Sequence, residues 1–587
     1  MNKYDSRRDF DGQARLLLIT SIAAVVGAVS TATADLLLHA IRFFTNLFFF
    51  QKLSTAFTSP AAHTLGAWVI VVPVIGGLII GLIARYGSEA IRGHGIPEAI
   101  EAILFKKSTM SPKVALLKPL ASGIAIGSGG PFGAEGPIIM TGGAVGSLIA
   151  QHFHLSAAER KALLVAGATA GMTAVFGTPI AAVLLAVELL LFELRPRSLA
   201  PVAVACAVAG FLRPLLIESG PLFPLHTEVL PPSALISCLI AGVLCGMLAW
   251  LLSTALYRVE DGFHKLPIHW MWWPAIGGLA IGIGGYFEPR ALGVGYDVIA
   301  DLLNNHMAAA AIVSLLIVKA VIWLLALGSG TSGGVLAPLL MLGAGLGAVL
   351  GPYLPGGEPA VWPLVFMAAT LGGMMRAPVM AVVFAFELTH DANALLPVLA
   401  TATVAYAFTV ATMHRSILTE KIARRGHHIY REYGIDPMER HSVAEVMTAT
   451  VDTIDADALI TDVITSHFHA HPRHRAYPVV RDGALVGMLD RAGLNSKPDA
   501  LRVGELFGVN VPIVALADET CRTLASRLAV HGVGRLPVVA DMQSRHLIGI
   551  ISTSDLMKPA LGLHDEELQR QTVRRVRFFG KAGPDIG

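Results

Sequence analysis

The segment Gly127–Gly146, GSGGPFGAEGPIIMTGGAVG, is repeated at Gly328–Gly347 as GSGTSGGVLAPLLMLGAGLG. Glycine, proline and methionine recur in the two copies at one constant offset of 201 residues. Lys118 and Lys319, just upstream, keep the same offset. Two homologous apolar halves, each interrupted by glycine and proline at matching places, are typical of membrane chains with a solute pathway between the halves.

Two flanking segments extend the repeat at nearly the same interval. Residues 93–95, Gly-His-Gly, correspond to residues 293–295, Gly-Val-Gly, and residues 179–188 correspond to residues 378–387. The second pair begins with proline and ends with glutamate in both copies, Glu188 and Glu387. The recurrence of this glutamate suggests a structural role for both copies.

Composition places most of the chain in a membrane. The 587 residues are 54% hydrophobic and only 15% charged, which is not the balance of a soluble enzyme. The net charge of +2 gives no indication of nucleic-acid binding, and the four cysteines form no disulfide framework. Uncharged runs of membrane-spanning length are Leu16–Ala34, Leu65–Ala84, Ala162–Val187, Ser233–Leu256, Ala320–Gly357 and Ala392–Met413.

Positive charge flanks these runs at both ends. Arg7, Arg8 and Arg15 precede the first run, and Lys421 and Arg425 follow the last. The positive-inside rule therefore predicts a multi-pass protein of the bacterial inner membrane with both termini in the cytoplasm. The N-terminal segment has no small-residue cleavage site, so we expect no removable signal peptide.

The composition changes near residue 420, and the following tail is itself duplicated. Residues 443–447, VAEVM, match residues 503–507, VGELF, and LVGML at 485–489 matches LIGII at 547–551. Short β-like runs alternate with helical ones in each copy. The tail is therefore predicted to contain two copies of a small α/β domain.

Three segments of the apolar part have the form of a helix start inside the membrane. These are residues 93–98, GHGIPE, 133–137, GAEGP, and 334–338, GVLAP. Proline is favoured in the first turn of a helix, and the preceding glycines let the chain turn sharply. Helix N-termini present free N–H groups and about half a positive charge, so several aimed at one point favour an anion over a cation.

In this order and spacing, the three motifs resemble those of the CLC chloride channel and transporter family, and the tail resembles a pair of CBS domains. The resemblance implies an all-α polytopic membrane protein with an inverted repeat, a homodimer with one pore per subunit, and about eighteen helices per subunit. The transmembrane domain would occupy residues 1–430, with halves at about 15–220 and 230–420. The CBS domains would occupy 440–500 and 501–560, followed by a basic tail at 561–587.

Glu135 matches the gating glutamate of the CLC family. A carboxylate at a helix N-terminus occupies the place of an anion, and protonation would let it swing away. The alternative is a glutamate that merely caps its helix. The matching motif positions, expected to contact the anion, are His94, Gly95, Ile96, Ala134, Gly136, Val335, Leu336 and Leu418.

The chain departs from the family pattern at three of its positions. His94 stands where many relatives have a serine that contacts the anion, and Leu418 stands where the family usually has a tyrosine. Leu189 follows Glu188 where exchangers of the family commonly have a second glutamate, the inner proton acceptor. His94 would compensate with a ring N–H, or would point away and leave the backbone amides to bind the anion.

In the second CBS repeat, GIISTSD at 549–555 resembles a nucleotide-binding stretch. Thr553 would contact phosphate and Asp555 would hold the ribose hydroxyls, whereas the first repeat has Arg491 and Gly493 at these places. One site for ATP or another adenine nucleotide is therefore expected, the alternative being a purely structural dimerising module. The histidine-rich stretch His467, His469, His471 and His474 lacks cysteine partners, so no metal site is predicted.

These features predict chloride transport through a glutamate-gated pore in the lipid bilayer, with no required cofactor, no enzymatic activity and no nucleic-acid partner. The leucine at position 189 favours passive conduction, because leucine cannot carry a proton. A proton-coupled chloride antiporter, with His94 or water replacing the missing acceptor, is the alternative. A non-conducting nucleotide sensor would explain the tail but not the three anion-directed helix starts.

Overall fold

The computed structural model describes residues 15–356, 359–429, 438, 441–468, 474–495, 501–507, 512–559 and 570–571. These residues form two compact units. Residues 15–429, with 570–571, belong to the membrane unit, and residues 438–559 belong to the tail unit.

The first half of the membrane unit is built from helices of very different lengths. A two-residue strand, β1 (Leu155–Ser156), precedes its sixth helix, and a π-helical turn, Ala186–Leu191, continues its seventh. The α-helices are α1 (Arg15–Phe50), α2 (Val71–Tyr86), α3 (Ile96–Phe105), α4 (Pro112–Gly127), α5 (Glu135–Ala150), α6 (Ala157–Phe176), α7 (Pro179–Leu185) and α8 (Pro196–Leu216).

The second half repeats this order of elements and adds one helix. Its α-helices are α9 (Ala234–His264), α10 (Trp273–Phe287), α11 (Tyr296–Leu303), α12 (Ala309–Gly328), α13 (Leu336–Leu350), α14 (Trp362–Met375), α15 (Pro378–Thr389), α16 (Leu395–Thr412) and α17 (Ile417–Arg424). Short 3-10 turns occur in both halves. In the first half they are Pro60–Ala62, Gly66–Ile70 and Glu89–Ile91, and in the second half they are Trp270–Trp272, Pro289–Ala291, Gly351–Tyr353 and Pro359–Val361. The described part of the membrane unit thus contains seventeen α-helices, close to the number implied by the CLC resemblance.

Several of these helices are long and apolar enough to cross a membrane. Seven such spans lie in the described residues: Arg15–Phe50, Gly66–Tyr86, Pro196–Leu216, Ala234–His264, Ala309–Gly328, Leu336–Tyr353 and Leu395–Arg424. Of the other α-helices, α6 has 20 residues but carries Glu159, Arg160 and Lys161 near its start, and the rest have 16 residues or fewer, too short to cross the hydrocarbon core of a bilayer. This mixture of complete and partial spans is the architecture expected of a polytopic protein with broken helices.

Two of the predicted spans are in fact interrupted. The run 162–187 breaks after α6, where Gly177 adopts a left-handed φ of 73° and Pro179 starts α7. The run 320–357 breaks between α12 and α13, where the second copy of the glycine-rich segment lies. Length and apolarity suggest single helices there, but glycine and proline stop and restart the helix within the membrane unit.

The two halves are related through pairs of equivalent contacts. A Cβ on Gly77 would collide with the carbonyl of Pro274, and a Cβ on Gly278 would collide with the carbonyl of Pro73. Gly77 and Gly278 are equivalent in the repeat at an offset of 201 residues, and so are Pro73 and Pro274, so the two contacts are the same contact seen from each half. Helices α2 and α10 therefore cross at a pseudo-twofold axis through glycines on both sides.

The two repeated lysines have equivalent hydrogen bonds. Lys118 Nζ donates to the carbonyls of Ile91 and Gly93, both at 2.8 Å. Lys319 Nζ donates to the carbonyls of residues 291 and 293 at 2.9 and 2.8 Å. Both side chains are fully buried. Each lysine thus ties α4 or α12 to the turn that precedes the short helix α3 or α11.

Close helix packing accounts for other glycines of the repeated segment. Gly142 and Gly146 on α5 lie against the backbone of α6, and Gly343 and Gly347 on α13 lie against the backbone of α14. A methyl group at any of the four would meet a backbone carbonyl. This is the small-residue packing that lets membrane helices approach closely.

Glu188 and Glu387 hold the two halves together at a second place. The Glu387 carboxylate accepts hydrogen bonds from the first-turn amides of α7, Ile180 N at 2.9 Å and Ala181 N at 2.8 Å. Glu188 Oε2 accepts one from Met380 N in the first turn of α15 at 2.9 Å. Each glutamate caps a helix of the opposite half, so the structural role inferred from their recurrence is confirmed.

Replacement of Glu387 by alanine is expected to destabilise the membrane unit by about 3 kcal/mol, because two charge-assisted hydrogen bonds are lost and two amides lose their acceptor. Thermal unfolding in detergent measures the effect as a lower midpoint temperature. The matched control is Glu228→Ala, which removes an exposed glutamate. Equal midpoints for the two variants would show that Glu387 is not a stabilising cap.

The tail unit consists of two similar α/β repeats. Each repeat has a three-stranded sheet in which the first strand pairs parallel and the last antiparallel to the middle strand. The strands are β2 (Ile454–Asp455), β3 (Ala476–Arg481), β4 (Ala484–Asp490), β5 (Ala515–Leu516), β6 (Arg535–Val539) and β7 (Leu547–Ser552). The helices are α18 (Val443–Val446), α19 (Ile460–His467) and α20 (Cys521–His531), with 3-10 turns at Gly493–Asn495, Val503–Leu506 and Asp555–Met557.

The two repeats exchange their first helical segments. Val443 of α18 packs in the core of the second repeat with Leu524, whereas Val503 packs in the core of the first repeat with Val463. The predicted pair of α/β domains is therefore present as one interlocked unit. The pair 570–571 forms the last described strand, β8, whose backbone pairs antiparallel with β1 in the membrane unit.

Candidate functional site

The three predicted helix starts meet at one place in the membrane unit. Gly133 and Gly334, which are equivalent in the repeat, form an antiparallel bridge in which Gly334 N donates to Gly133 O at 2.9 Å. A Cβ on Gly95 would lie 2.6 Å from the carbonyl oxygen of Gly136. A Cβ on Gly136 would lie 3.2 Å from the Cα of Gly334. The N-termini of α3, α5 and α13 therefore touch through glycine backbone.

The local sequence explains this geometry. Gly95 adopts a φ of 88°, a conformation that side chains avoid, and places Ile96 and Pro97 in the first turn of α3. Ala134 and Val335 precede α5 and α13 directly. The sequence-predicted residues brought together here, all of them buried, are His94, Gly95, Ile96, Ala134, Gly136, Val335 and Leu336.

Glu135 is the first residue of α5 and is completely buried. Its Oε1 accepts a hydrogen bond from the Tyr296 hydroxyl at 3.4 Å, and its Oε2 has no partner in the described part of the chain. The backbone amides of Glu135 and Ala337 also interact with the carboxylate. The negative group thus lies at the N-terminal ends of two helices, where an anion would be stabilised.

Tyr296 was missed by the reasoning from sequence, although a signal was present. It is the first residue of α11 and follows Gly295, which is equivalent to Gly95 in the repeat. Its ring packs edge-on against Phe176 and Phe223, with both ring centroids 6.2 Å away. The aromatic contacts fix the hydroxyl towards Glu135.

His94 is 2% exposed, and neither of its ring nitrogens has a hydrogen-bond partner among the described residues. Charged groups lie nearby on three helices: Glu98 on α3, Lys118 on α4 and Lys421 on α17. The peptide carbonyl of His94 faces Gly136. The imidazole therefore stands beside the helix junction with unused hydrogen-bonding capacity.

Glu98 fixes the start of α3 and connects it to α17. Its Oε2 accepts a hydrogen bond from Gly95 N at 3.0 Å. Its Oε1 forms ion pairs with Arg425 Nη2 at 2.8 Å and with Lys421 Nζ at 3.5 Å. Neither the glutamate nor its basic partners belonged to the predicted site, because the pairing joins residues more than three hundred positions apart.

Leu418 lies on a different helix from the other predicted contacts. It lies in the first turn of α17 and is 1% exposed, within the apolar core of the membrane unit. Helix α17 packs against α3 and α14, and the Tyr257 hydroxyl of α9 donates to the carbonyl of Ile417 beside it. A tyrosine hydroxyl therefore reaches this turn from another helix, although position 418 itself has none.

Leu189 lies on the π-helical turn and is 1% exposed. Glu188 next to it is engaged as the cap of α15. An apolar side chain thus fills the position where the family resemblance places an inner proton acceptor. The structure provides no carboxylate at position 189 itself, so any proton route there depends on other groups.

The tail unit has a cavity of about 450 Å³ lined by Thr553, Asp555, His474, Arg475 and Arg535. Asp555 Oδ2 accepts hydrogen bonds from Ser552 N and Oγ, and Lys558 Nζ lies 2.7 Å from Oδ1. Burial acts to raise the pKa of Asp555, but the hydrogen bonds from Lys558 and Ser552 outweigh burial and hold that pKa below its usual range. The carboxylate is therefore charged at neutral pH.

Other predicted features fall partly outside the described residues. His469 and His471 of the histidine-rich stretch do so, as does the basic tail with Arg574, Arg575 and Arg577. Within the described residues, no group of three or more His, Cys, Asp or Glu side chains is placed to hold a metal ion.

Comparison with known proteins assigns the family. Residues 75–410 match the family described as voltage gated chloride channel, and residues 443–495 and 503–562 match the CBS domain. The chain belongs to the CLC family. It is 30% identical over 412 residues to the voltage-gated ClC-type chloride channel ClcB of Escherichia coli O81 (strain ED1a), covering 68% of this chain and 97% of that protein.

Solved CLC structures share the fold. A slow cyanobacterial Cl⁻/H⁺ antiporter superimposes with a TM-score of 0.62 at 22% identity, covering 71% of this chain and 99% of that one. A eukaryotic CLC transporter superimposes with a TM-score of 0.61 at 20% identity, covering 92% of this chain and 98% of that one. The predicted CLC fold with a C-terminal CBS pair is confirmed, and the chain is a multi-pass membrane protein for CLC-type anion transport.

Proposed function

We propose that this CLC protein conducts chloride passively across the bacterial inner membrane, as a homodimer with one Glu135-gated pathway per subunit and both termini in the cytoplasm. The observation that carries the proposal is the buried Glu135 carboxylate at the junction of three helix starts. The carboxylate takes the place of the anion while it is charged. Once protonated, it no longer competes, and chloride replaces it at the same N–H groups.

The anion is held mainly by backbone in this proposal. The amides around Gly95, Ile96, Ala134, Gly136, Val335 and Leu336 supply partial positive charge without a full cation, which allows rapid release. His94 adds a ring N–H, and Leu418 replaces a hydroxyl donor by an apolar wall. Passive conduction is supported by Leu189, because the side chain at that position cannot carry a proton.

The second candidate is a proton-coupled chloride antiporter. It is favoured by His94, whose two unpartnered ring nitrogens lie beside the helix junction and Glu98. In this candidate, the His94 ring or water provides the proton transfer that Leu189 cannot. The cyanobacterial neighbour that shares the fold is a Cl⁻/H⁺ antiporter, which supports this second candidate.

Chloride efflux from liposomes reconstituted with the purified protein, with external pH recorded in the same run, separates the two candidates. We expect chloride release down its gradient with no coupled proton movement, because the leucine at position 189 cannot accept a proton. Protons driven uphill by chloride would instead establish the antiporter. The absence of both fluxes would contradict anion transport by this chain and favour a non-conducting sensor.

We further propose that the tail unit binds one adenine nucleotide, such as ATP, as a regulatory ligand rather than a required cofactor. Thr553 and Asp555 line the 450 Å³ cavity together with two arginines. In this arrangement the Asp555 carboxylate accepts hydrogen bonds from the ribose hydroxyls. Thr553 and the two arginines donate hydrogen bonds to the phosphates. The first repeat has Arg491 and Gly493 at the equivalent positions and lacks both groups.

Substitution of Asp555 by asparagine is expected to weaken ATP binding about tenfold, because a charged acceptor of hydrogen bonds is lost. Isothermal titration of the full-length protein with ATP measures the change. Asp541→Asn, in the exposed β6–β7 turn, is the matched control and should leave the affinity intact. Undetectable ATP binding by the unsubstituted protein would favour a purely structural tail.

A further inference from the structure

A cavity of about 840 Å³ opens beside the start of α3, and its lining includes several basic side chains. Most of these cations are paired. Arg425 contacts Glu98 and Glu101 at 2.8 and 2.6 Å, and Lys106 contacts Glu101 at 2.8 Å. Arg424 pairs with Asp261. We name this cavity the basic vestibule.

Arg92 differs from the other cations of the basic vestibule. Its guanidinium carbon lies over the Trp270 ring, 4.3 Å from the ring centroid. Its Nε is buried and has no acceptor among the described residues. Glu89 and Glu260 line the same cavity and attract the arginine through space, but no ion pair within 4.0 Å joins either of them to it in the described structure. A partly buried guanidinium without an acceptor is costly unless an anion satisfies it.

The repeat provides an internal comparison for this position. Arg92 packs against Gly330, where a Cβ would lie 3.0 Å from its Nη2. The equivalent contact in the other half joins Leu292 to Gly129, where a Cβ would lie 3.2 Å from Leu292 Cδ2. Leu292 is 2% exposed. The fold therefore accepts an apolar side chain at this place, and packing alone does not require an arginine.

The aromatic partner is also confined to one half. Gly81 packs against Met271, and the equivalent Gly282 packs against Ile70. Met271 and Ile70 are therefore equivalent in the repeat, and Val69 is the equivalent of Trp270. A cation over an aromatic ring thus exists at one of the two places related by the repeat, whereas two aliphatic residues, Leu292 and Val69, occupy the equivalent positions at the other.

We propose that Arg92, supported by Trp270, is an entry site that binds the transported inorganic anion in the basic vestibule before it reaches the helix starts. The proposal rests on the anion-transport function stated above. Arg92 directly precedes Gly93-His94-Gly95, so an anion leaving it meets the N-terminus of α3 next. Its guanidinium is already held in place by the indole, so little side-chain entropy is lost on binding. The site gives the pathway a higher anion affinity on the side of the basic vestibule than on the opposite side.

The test uses the residue that the repeat itself places at the equivalent position, in the variant Arg92→Leu. Chloride currents in planar bilayers are recorded while chloride is varied on one side at a time. We expect the half-saturating chloride concentration to rise about tenfold on the vestibule side, with no change on the opposite side and equal currents at saturation. Arg92→Lys keeps the charge but not the planar guanidinium over the indole, and should give a smaller rise. Lys106→Leu, which removes a paired cation from the same cavity, should give none.

Chloride titration calorimetry on the detergent-solubilised protein provides an independent readout, since Arg92→Leu should lose one binding event. An equal rise on both sides, the same rise in Lys106→Leu, or unchanged affinity in both assays would overturn the proposal. Should Arg92→Leu fail to fold, Arg92→Gln removes the charge with less change of shape and is judged by the same criteria. If the unsubstituted protein passes no chloride, the transport function fails, and calorimetry alone then decides the Arg92 site.

Discussion

Replacement of Glu135 by glutamine is expected to abolish the pH dependence of chloride flux. In the unsubstituted protein, flux should fall as pH rises, because the deprotonated carboxylate competes with chloride for the helix starts. Each pH unit above the midpoint lowers the protonated fraction about tenfold. Two units above that midpoint, the glutamine variant should therefore carry about a hundredfold more chloride than the unsubstituted protein.

The geometry gives two reasons for this expectation. Glu135 is fully buried, and the one titratable side chain of the described structure that hydrogen-bonds to its carboxylate is Tyr296. The carboxylate also interacts with amides at the starts of α5 and α13, which are the groups that a chloride ion would use. Glutamine keeps the shape of the side chain but carries no charge, so its amide competes weakly with an anion.

The measurement is chloride flux from liposomes for the two proteins, from about pH 4 to at least two units above the observed midpoint. Glu228→Gln, an exposed carboxylate elsewhere in the membrane unit, is the control and should keep the original pH profile. A glutamine variant whose flux still falls as pH rises would show that another group gates the pathway. Glu135 would then be only a helix cap.

The repeat and the three helix starts could be predicted from the residues alone, because both depend on local backbone chemistry, whereas the inverted arrangement of the halves was implied by the family resemblance. Gly95 and Pro97 favour a helix start through their own backbone preferences, and the recurrence of glycine, proline and methionine at Gly328–Gly347 indicates two homologous halves. A structural role for Glu188 and Glu387 could be anticipated as well, because the glutamate recurs, but not that each caps a helix of the opposite half. Each of these patterns is either a short motif or a constant spacing between two copies of a segment.

Contacts between distant segments could not be predicted in the same way. The Tyr296 hydroxyl meets Glu135 across 161 residues, and Arg425 meets Glu98 across 327. Neither pairing follows from a spacing, because each depends on how the two halves are packed. The interruption of the run 162–187 was likewise hidden by uniform apolarity, although Gly177 and Pro179 were its cause.

A single methyl group at Gly334 is expected to lower chloride flux at least about tenfold. A Cβ there would lie 2.5 Å from the carbonyl oxygen of Gly133 and 2.6 Å from Glu135 Oε2. Both distances are too short for any real contact, so the bridge between the two halves must open or the gate must move. Overpacking of this kind costs about 1–3 kcal/mol, and 1.4 kcal/mol corresponds to a factor of ten.

Chloride efflux by Gly334→Ala, with size-exclusion chromatography to establish that the variant is folded, measures this effect. Gly262→Ala is the matched control, because a Cβ on Gly262 in α9 meets nothing within 4 Å. Since Gly133 and Gly334 are equivalent in the repeat, Gly133→Ala should impair flux in the same direction: its Cβ would overlap the Glu135 carboxylate itself. Normal flux in both variants would mean that the helix starts need not touch, and that the anion site lies elsewhere than at this junction.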